Sequence, residues 1–154
     1  MLASLDCKMY SDPSCTVDAQ QRTVAIVDDD PQISEALGVW VELQGLRALH
    51  FTSAEALLSA LQVSPPQLAV RLQAEAATPF VLVGAILDLN LPGMSGIGLS
   101  HVLRGLNADL PQVIVTALRE TERGRYGPLP AGVPCLKKPF DLDALESALL
   151  TPPH

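Results

Sequence analysis

Short apolar runs alternate with amphipathic stretches along most of the chain. Residues 23–27 are nearly all apolar and lead into three consecutive aspartates, the pattern of a buried strand that emerges into a loop. Pro31 then fits the first position of a helix with Asp30 as its N-cap, and apolar residues recur with a 3.6-residue period until Gly45. This order predicts a strand followed by a helix.

The alternation continues toward the C-terminal end. Ser53 is expected to cap a short helix that runs through Gln62, and residues 67–77 have the helix propensity for an extra helix. Further strands are predicted at 47–52, 81–87, 112–116 and 133–136, and further helices at 96–106 and 141–150. Because each strand is almost wholly apolar, we predict an α/β fold with a doubly wound, five-stranded parallel sheet and helices on both faces.

The length of the chain, 154 residues, suits a single domain. Residues 1–22 are mixed polar and follow no period, so we expect a flexible N-terminal extension. Residues 23–150 carry the periodic pattern of the domain, and residues 151–154 form a short tail.

Composition and charge exclude several classes of protein. A hydrophobic share of 48% excludes wholesale disorder, and a net charge of −7 disfavours direct contact with nucleic acid or with an anionic membrane. The longest apolar run, 80–87, is far shorter than the ~20 residues of a membrane span. The first ten residues lack the apolar stretch of a signal peptide, so a cytoplasmic protein is expected.

The three cysteines do not form a metal-binding or disulfide pattern. Cys7, Cys15 and Cys135 are an odd set without a CxxC spacing and without a nearby histidine. We therefore interpret them as incidental reduced thiols.

Polar residues of related chemistry follow four of the predicted strands. In a doubly wound sheet, the ends of the strands from which these residues emerge meet at one crevice. Carboxylates gathered there would repel one another unless a cation such as Mg²⁺ joined them, and a lysine and a threonine hydroxyl would suit a phosphoryl group. These parts serve phosphoryl transfer to a carboxylate nucleophile. The residues are Asp28, Asp29, Asp88, Thr116 and Lys138.

Four sequence stretches resemble the receiver domain of two-component response regulators. They are Val-Asp-Asp-Asp-Pro at 27–31, Leu-Asp-Leu-Asn-Leu-Pro-Gly-Met-Ser-Gly at 87–96, Val-Ile-Val-Thr-Ala at 113–117 and Leu-Lys-Lys-Pro-Phe at 136–140. The resemblance covers residues 23–150 and implies the flavodoxin-like strand order 2-1-3-4-5. It also implies a phosphoacceptor that takes a phosphoryl group from a sensor histidine kinase or a histidine phosphotransfer protein. Such a domain assists its own phosphorylation and dephosphorylation, without being an enzyme for other substrates, and signals through changed contacts with a downstream protein.

The resemblance also implies a set of Mg²⁺ ligands. Asp29 and Asp88 would bind the ion directly, and Asp28 would contribute mostly through water. The backbone carbonyl of Asn90 would supply another ligand. Asp30 could shift the acidic pair by one residue, but the family pattern places the pair directly after the last valine of the strand.

The same resemblance implies the roles around the phosphoryl group. Asp88 would be the phosphoacceptor, Thr116 would turn inward to the phosphoryl group, and Lys138 would pair with it. The peptide bond between Lys138 and Pro139 would be cis.

Two features depart from the family pattern. The separation of Asp29 and Asp88 is longer than usual, which indicates an insertion around 63–80. Cys135 stands three positions before the lysine, where receivers usually carry an aromatic residue that changes its rotamer. The segment after Thr116 can form at most about two helical turns, so we expect a mobile loop at 124–132 that orders on phosphorylation. The residues that limit this helix are Gly124, Gly127, Pro128 and Pro130.

Two other functions fit part of the pattern. A receiver-like interaction module that works without phosphorylation would account for the unusual segment before Cys135. A Mg²⁺-dependent phosphohydrolase with Asp88 as its nucleophile would be expected to carry an Asp-x-Asp motif, which Asn90 interrupts.

Overall fold

The computed structural model describes residues 22–64, 67–70 and 80–149. The predicted extension covers residues 1–22, and all of it except Arg22, which begins the first strand, lies outside the described residues. The tail at 151–154 and two of the cysteines, Cys7 and Cys15, lie outside them as well. In the described part, strands and helices follow one another as the sequence pattern predicts. The strands are β1 (Arg22–Val27), β2 (Arg47–Phe51), β3 (Leu61–Ser64), β4 (Gln67–Val70), β5 (Phe80–Asp88), β6 (Gln112–Thr116) and β7 (Cys135–Lys137). The helices are α1 (Pro31–Leu43), α2 (Ala54–Ala60), α3 (Gly96–Leu106), α4 (Glu120–Arg123) and α5 (Leu142–Leu149).

Five of the strands form the predicted parallel sheet. The order across this sheet is β2-β1-β5-β6-β7, which is the order 2-1-3-4-5 when only the parallel strands are counted. Val27 at the end of β1 pairs with Leu87 near the end of β5, and Asp88 pairs with Val115 of β6. The carboxyl ends of these three strands are therefore level with one another.

Two hydrophobic clusters cover the two faces of the sheet, which confirms the doubly wound arrangement. Successive side chains along a strand point to opposite faces of the sheet, so each parallel strand contributes residues to both clusters. Ala25, Val27, Leu87 and Ile114 face α2 and α3, whereas Val24, Ile26, Ile86 and Val113 face α1 and α5.

The prediction of an extra helix at 67–77 is wrong for residues 67–70, which form a strand. Residues 71–79 lie outside the described part of the chain. Strands β3 and β4 instead form an antiparallel hairpin, and β4 pairs with Phe80–Leu82 at the beginning of β5. The physical reason is that β6 pairs only with residues 85–88, which leaves backbone groups at the beginning of β5 available for pairing. Helix propensity is a weak preference that such tertiary pairing overrides.

The hairpin overlaps the predicted insertion at 63–80 and lies at the amino end of β5, away from Asp88. It also shortens the preceding helix, which ends at Ala60 although the sequence predicts a helix through Gln62. The fifth parallel strand is displaced as well, since it covers Cys135–Lys137 where 133–136 is predicted. These differences leave the carboxyl edge of the sheet as expected.

The helix predicted to be short after Thr116 is short. Helix α4 has four residues and passes into a single 3-10 turn, Gly124–Tyr126. The carboxylate of Glu122 accepts a hydrogen bond from the backbone N–H of Arg119 and so closes the first turn. The mobility of residues 124–132 stays a prediction.

Candidate functional site

Three aspartates meet at the carboxyl edge of the sheet. Asp28 follows β1 and Asp88 ends β5, and because these strands are parallel neighbours, their last residues lie side by side. A carboxylate oxygen from each of Asp28, Asp29 and Asp88 lies within 4.8 Å of the other two. Asp28 and Asp88 are only 3% and 6% exposed, whereas Asp29 is exposed. The cluster thus has two buried carboxylates and one open to solvent.

Lys138 joins the two buried carboxylates. Its Nζ lies 3.1 Å from Oδ2 of Asp28 and 3.5 Å from Oδ1 of Asp88. The backbone N–H of Lys138 donates to the carbonyl oxygen of Thr116 at 2.7 Å, which fixes the loop after β7 against the end of β6. The peptide bond between Lys138 and Pro139 is cis, as the resemblance implies. The ammonium offsets part of the negative charge of the cluster.

Both carboxylate oxygens of Asp28 already have partners. Oδ2 accepts from Lys138, and Oδ1 accepts from the backbone N–H of Asp30 at 2.9 Å. The backbone N–H of Asp28 also donates to the carbonyl oxygen of Phe51 in β2. These three hydrogen bonds fix both the backbone and the carboxylate of Asp28 beside Asp88 and Lys138.

Asp88 has an unusually high pKa for a carboxyl group. Burial raises the pKa of Asp88 from 3.8 to about 6, and the neighbouring Asp28 carboxylate contributes in the same direction. Lys138 and a hydrogen bond from the backbone of Asn90 oppose this shift. A cation bound by the cluster would favour the ionised form, so it would compete with protons for this site.

Thr116 ends β6 and is almost fully buried, at 1% exposure. Its hydroxyl oxygen accepts a hydrogen bond from the backbone N–H of Leu118 at 2.9 Å. The hydroxyl hydrogen remains able to donate to another acceptor. The end of β6 thus adds a hydroxyl donor to the edge of the sheet that carries Asp88.

Two contacts that the sequence does not predict hold the loop between β5 and α3 in place. The hydroxyl of Tyr126 donates to Oδ1 of Asn90 at 3.2 Å, and Oε2 of Glu55 accepts from the backbone N–H of Met94 at 3.0 Å. Both partners are far from the loop in sequence and belong to no motif. Only the folded arrangement of α2 and of the 3-10 turn identifies them.

The donor set of the cluster fits a hard divalent cation. Carboxylate oxygens are the ligands that Mg²⁺ and Ca²⁺ prefer, and three such groups compensate the charge of the ion. Asn90 lies two residues after Asp88, so its backbone carbonyl belongs to the same loop. Among the described residues, no histidine or cysteine takes part in this cluster, and oxygen ligands are therefore its entire donor set.

Comparison with known proteins relates the chain to bacterial regulators. It is 32% identical over 122 residues to the transcriptional regulatory protein KdpE of Mycobacterium tuberculosis, which covers 78% of this chain and 46% of that protein. It is 27% identical over 126 residues to the probable transcriptional regulatory protein TcrX of the same organism, covering 82% and 47%. The chain thus spans less than half of the length of these relatives. No protein-family model matches it.

Solved structures share the fold. The response regulator StyR aligns with a TM-score of 0.59 and 26% identity over 85% of this chain and 58% of that one. A CheY-like receiver domain protein from Methanospirillum hungatei aligns with a TM-score of 0.61 and 23% identity over 82% and 89%. Within the described residues, no helix has the length and apolarity needed to cross a membrane.

The strand order, the acidic cluster beside a lysine and these similarities together define a receiver domain. The chain is similar in sequence to transcriptional regulatory proteins such as KdpE and in fold to the response regulator StyR, which supports a receiver domain of the response-regulator type.

Proposed function

We propose that Asp88 accepts a phosphoryl group from a sensor histidine kinase or a histidine phosphotransfer protein, and that the domain then signals through changed contacts with a downstream protein. The observation that carries this proposal is the position of the Lys138 ammonium between Asp28 and Asp88 within the cluster of three aspartates. A carboxylate nucleophile, a cation site and a fixed positive charge are the groups that phosphoryl transfer requires.

We assign Mg²⁺ to the cluster, with Asp29, Asp88 and the backbone carbonyl of Asn90 as direct ligands. Asp28 acts mostly through water in this assignment, and its hydrogen bonds support that role. Both of its oxygens already accept from Lys138 and from the backbone of Asp30, so it has less capacity for direct ligation. When bound, Mg²⁺ neutralises the charge of the phosphoryl oxygens.

In the proposed transfer, a carboxylate oxygen of Asp88 attacks the phosphorus atom of a phosphohistidine. The oxygen–phosphorus bond forms as the phosphorus–nitrogen bond breaks, and the electron pair remains on the imidazole of the donor. Lys138 pairs with the phosphoryl group, and the hydroxyl of Thr116 donates to one of its oxygens. Attack by water on the phosphorus later releases inorganic phosphate and restores the Asp88 carboxylate.

This chemistry makes the domain a phosphoacceptor that assists its own phosphorylation and dephosphorylation. We propose that it acts in the cytoplasm, where kinases can draw on ATP. The net charge of −7 supports contact with proteins, and not with nucleic acid, by this domain. The relatives KdpE and TcrX are described as transcriptional regulators, which is a property of those longer proteins.

The test is the intact mass of the protein after incubation with Mg²⁺ and acetyl phosphate. We expect a gain of one phosphoryl group that hydroxylamine removes and that Asp88→Asn abolishes. Asp30→Asn is the matched control, because it removes a neighbouring carboxylate but keeps a side chain able to cap α1. A wild-type protein that never gains this group would instead be an interaction module that works without phosphorylation.

A further inference from the structure

The side chain of Asn90 is bound to a residue in a distant part of the chain. Its Oδ1 accepts a hydrogen bond from the hydroxyl of Tyr126, which lies 36 residues further along. Tyr126 belongs to the 3-10 turn after α4 and therefore to the segment 124–132, which leads toward β7. The contact thus connects the loop after Asp88 with this segment.

Tyr126 is well placed to transmit displacement because its ring is anchored. The ring is half-buried and packs against the hydrophobic cluster that also contains Leu87 and Ile114. The turn is closed by the backbone N–H of Gly127, which donates to the carbonyl oxygen of Gly124 at 3.3 Å, and Gly127 has a φ of 87°. Since glycine adopts this conformation without strain, the chain can reverse directly after the tyrosine.

Asn90 also contacts the phosphoacceptor through its main chain. Its backbone forms a hydrogen bond with the carboxyl group of Asp88, and its carbonyl is the proposed ligand of the cation. The main chain of Asn90 therefore contacts the carboxyl group of Asp88, while its side chain accepts a hydrogen bond from Tyr126. A change in the backbone orientation of Asn90 on cation binding or phosphorylation would therefore alter the geometry of its side-chain hydrogen bond to Tyr126.

We propose that Tyr126 is a positioning residue for the loop after Asp88. Its hydrogen bond to Asn90 couples loading of the Asp88 site, meaning binding of the cation and of the phosphoryl group, to the conformation of segment 124–132. The inference rests on the proposed function, since it concerns the same site. Coupling of this kind is reciprocal. If loading changes the strength of the hydrogen bond between Tyr126 and Asn90, then this hydrogen bond changes the affinity of the site for its ligand by the same free energy.

A second contact of the same segment supplies the control. Nε2 of His101 in α3 donates to the carbonyl oxygen of Pro128 at 3.0 Å. His101 is exposed, and its contact does not involve the loop after Asp88. His101→Ala therefore loosens segment 124–132 without touching Asn90, whereas Tyr126→Phe keeps the ring and removes only the hydroxyl.

The experiment measures two quantities in the full chain. The first is the dissociation constant of Mg²⁺ alone, by calorimetry. The second is amide exchange of segment 124–132 with Mg²⁺ alone and with Mg²⁺ plus beryllofluoride, a phosphoryl mimic. In Tyr126→Phe we expect Mg²⁺ binding to weaken about two- to fivefold, as for the loss of one neutral hydrogen bond, and the exchange response to beryllofluoride to disappear.

Asn90→Ala removes the acceptor of the same hydrogen bond and keeps the backbone carbonyl, so it should reproduce both effects. It also tests the contact if Tyr126→Phe disturbs folding. The double variant should be no weaker than either single variant. His101→Ala should speed amide exchange of segment 124–132 by the same factor with and without beryllofluoride. Because an equal loosening of both states leaves the coupling unchanged, its Mg²⁺ affinity should be that of the wild type.

Wild-type Mg²⁺ affinity together with a wild-type exchange response in Tyr126→Phe would overturn the coupling, as would additive effects in the double variant. Failure of the proposed function has a different signature, because the wild-type protein itself would then gain no hydroxylamine-labile phosphoryl group.

Discussion

The ammonium of Lys138 lies 3.1 Å from Oδ2 of Asp28, although 110 residues separate the two in sequence. The parallel sheet explains this proximity, because β1 and β7 both direct their carboxyl ends to the same edge. Asp28 is 3% exposed, and a buried carboxylate without a partner is costly. The pair therefore keeps the apo site intact and holds the lysine close to Asp88.

Replacing Lys138 should raise the pKa of Asp88. The Lys138 ammonium holds this pKa down against burial and the charge of Asp28, so in Lys138→Met we expect a pKa above the value of about 6 in the wild type. Titration of the Asp88 carboxyl carbon by NMR in Mg²⁺-free buffer measures the shift. Lys137→Met is the matched control, since the Lys137 side chain is exposed. An unchanged or lower pKa in Lys138→Met would contradict this electrostatic account.

The same pKa predicts how stability depends on pH without Mg²⁺. Because the pKa of Asp88 is raised from 3.8 to about 6 by folding, the folded state binds more protons than the unfolded state between these values. Stability from this group is therefore fully present below pH 3.8 and is lost as the pH rises through about 6. Asp88→Asn should then stabilise the protein at pH 8 by on the order of 1–3 kcal/mol, and by less at pH 4.5.

Urea unfolding at the two pH values, with a chelator present, checks this prediction. Asp30→Asn again serves as control and should show no comparable pH-dependent gain. Saturating Mg²⁺ should reduce the advantage of Asp88→Asn, because the wild type alone then gains the binding energy of the ion. Equal stabilisation by Asp88→Asn at both pH values would be inconsistent with a raised pKa.

Sequence periodicity predicts the parallel strands and the grouping of aspartates at their carboxyl ends, because both depend on local patterns, whereas the strand order follows from the family resemblance. The apolar runs before Asp28 and before Asp88 each specify a buried strand and the residue at which it ends. Because the two strands are parallel neighbours, their carboxyl ends lie side by side. Gly45 likewise ends α1 with a φ of 82°, as a glycine after a helix is expected to do.

The hairpin β3–β4 could not be predicted in this way. Residues 67–70 favour a helix locally, and only the unpaired edge at the beginning of β5 makes them a strand. The contacts of Tyr126 and Glu55 escaped prediction for a related reason. Each is a single side chain whose partner is fixed by the packing of distant elements, and no spacing in the sequence records such a pair.

Removing Asp29 should abolish phosphorylation although Asp88 remains. In the proposed ligand set, Asp29 contributes the exposed carboxylate, and the buried Asp28 compensates poorly for its loss because each of its oxygens already accepts a hydrogen bond, one of them from the Lys138 ammonium. We expect Asp29→Ala to lose both measurable Mg²⁺ binding and labelling by acetyl phosphate. Calorimetry and intact mass test the two losses separately. Normal labelling of Asp29→Ala in Mg²⁺ would show that Asp29 is not a required ligand.

A buried polar pair between α3 and β6 should contribute to stability independently of the site. The hydroxyl of Ser100 donates to Oε1 of Gln112 at 2.6 Å, and both residues are buried. In the part of the chain that the structure describes, Nε2 of Gln112 has no partner. Ser100→Ala would leave the whole amide without one, at a cost of about 1–3 kcal/mol in the free energy of unfolding.

Adding Gln112→Leu to Ser100→Ala should recover most of this loss, because removal of both polar groups ends the desolvation penalty. Ser147→Ala, in the exposed part of α5, is the control and should be nearly neutral. Chemical denaturation of the four proteins measures these differences, and phosphorylation of Asp88 should be unchanged in all of them. A neutral Ser100→Ala would contradict this prediction, because the side-chain amide of Gln112 would then have gained a replacement partner in the folded state.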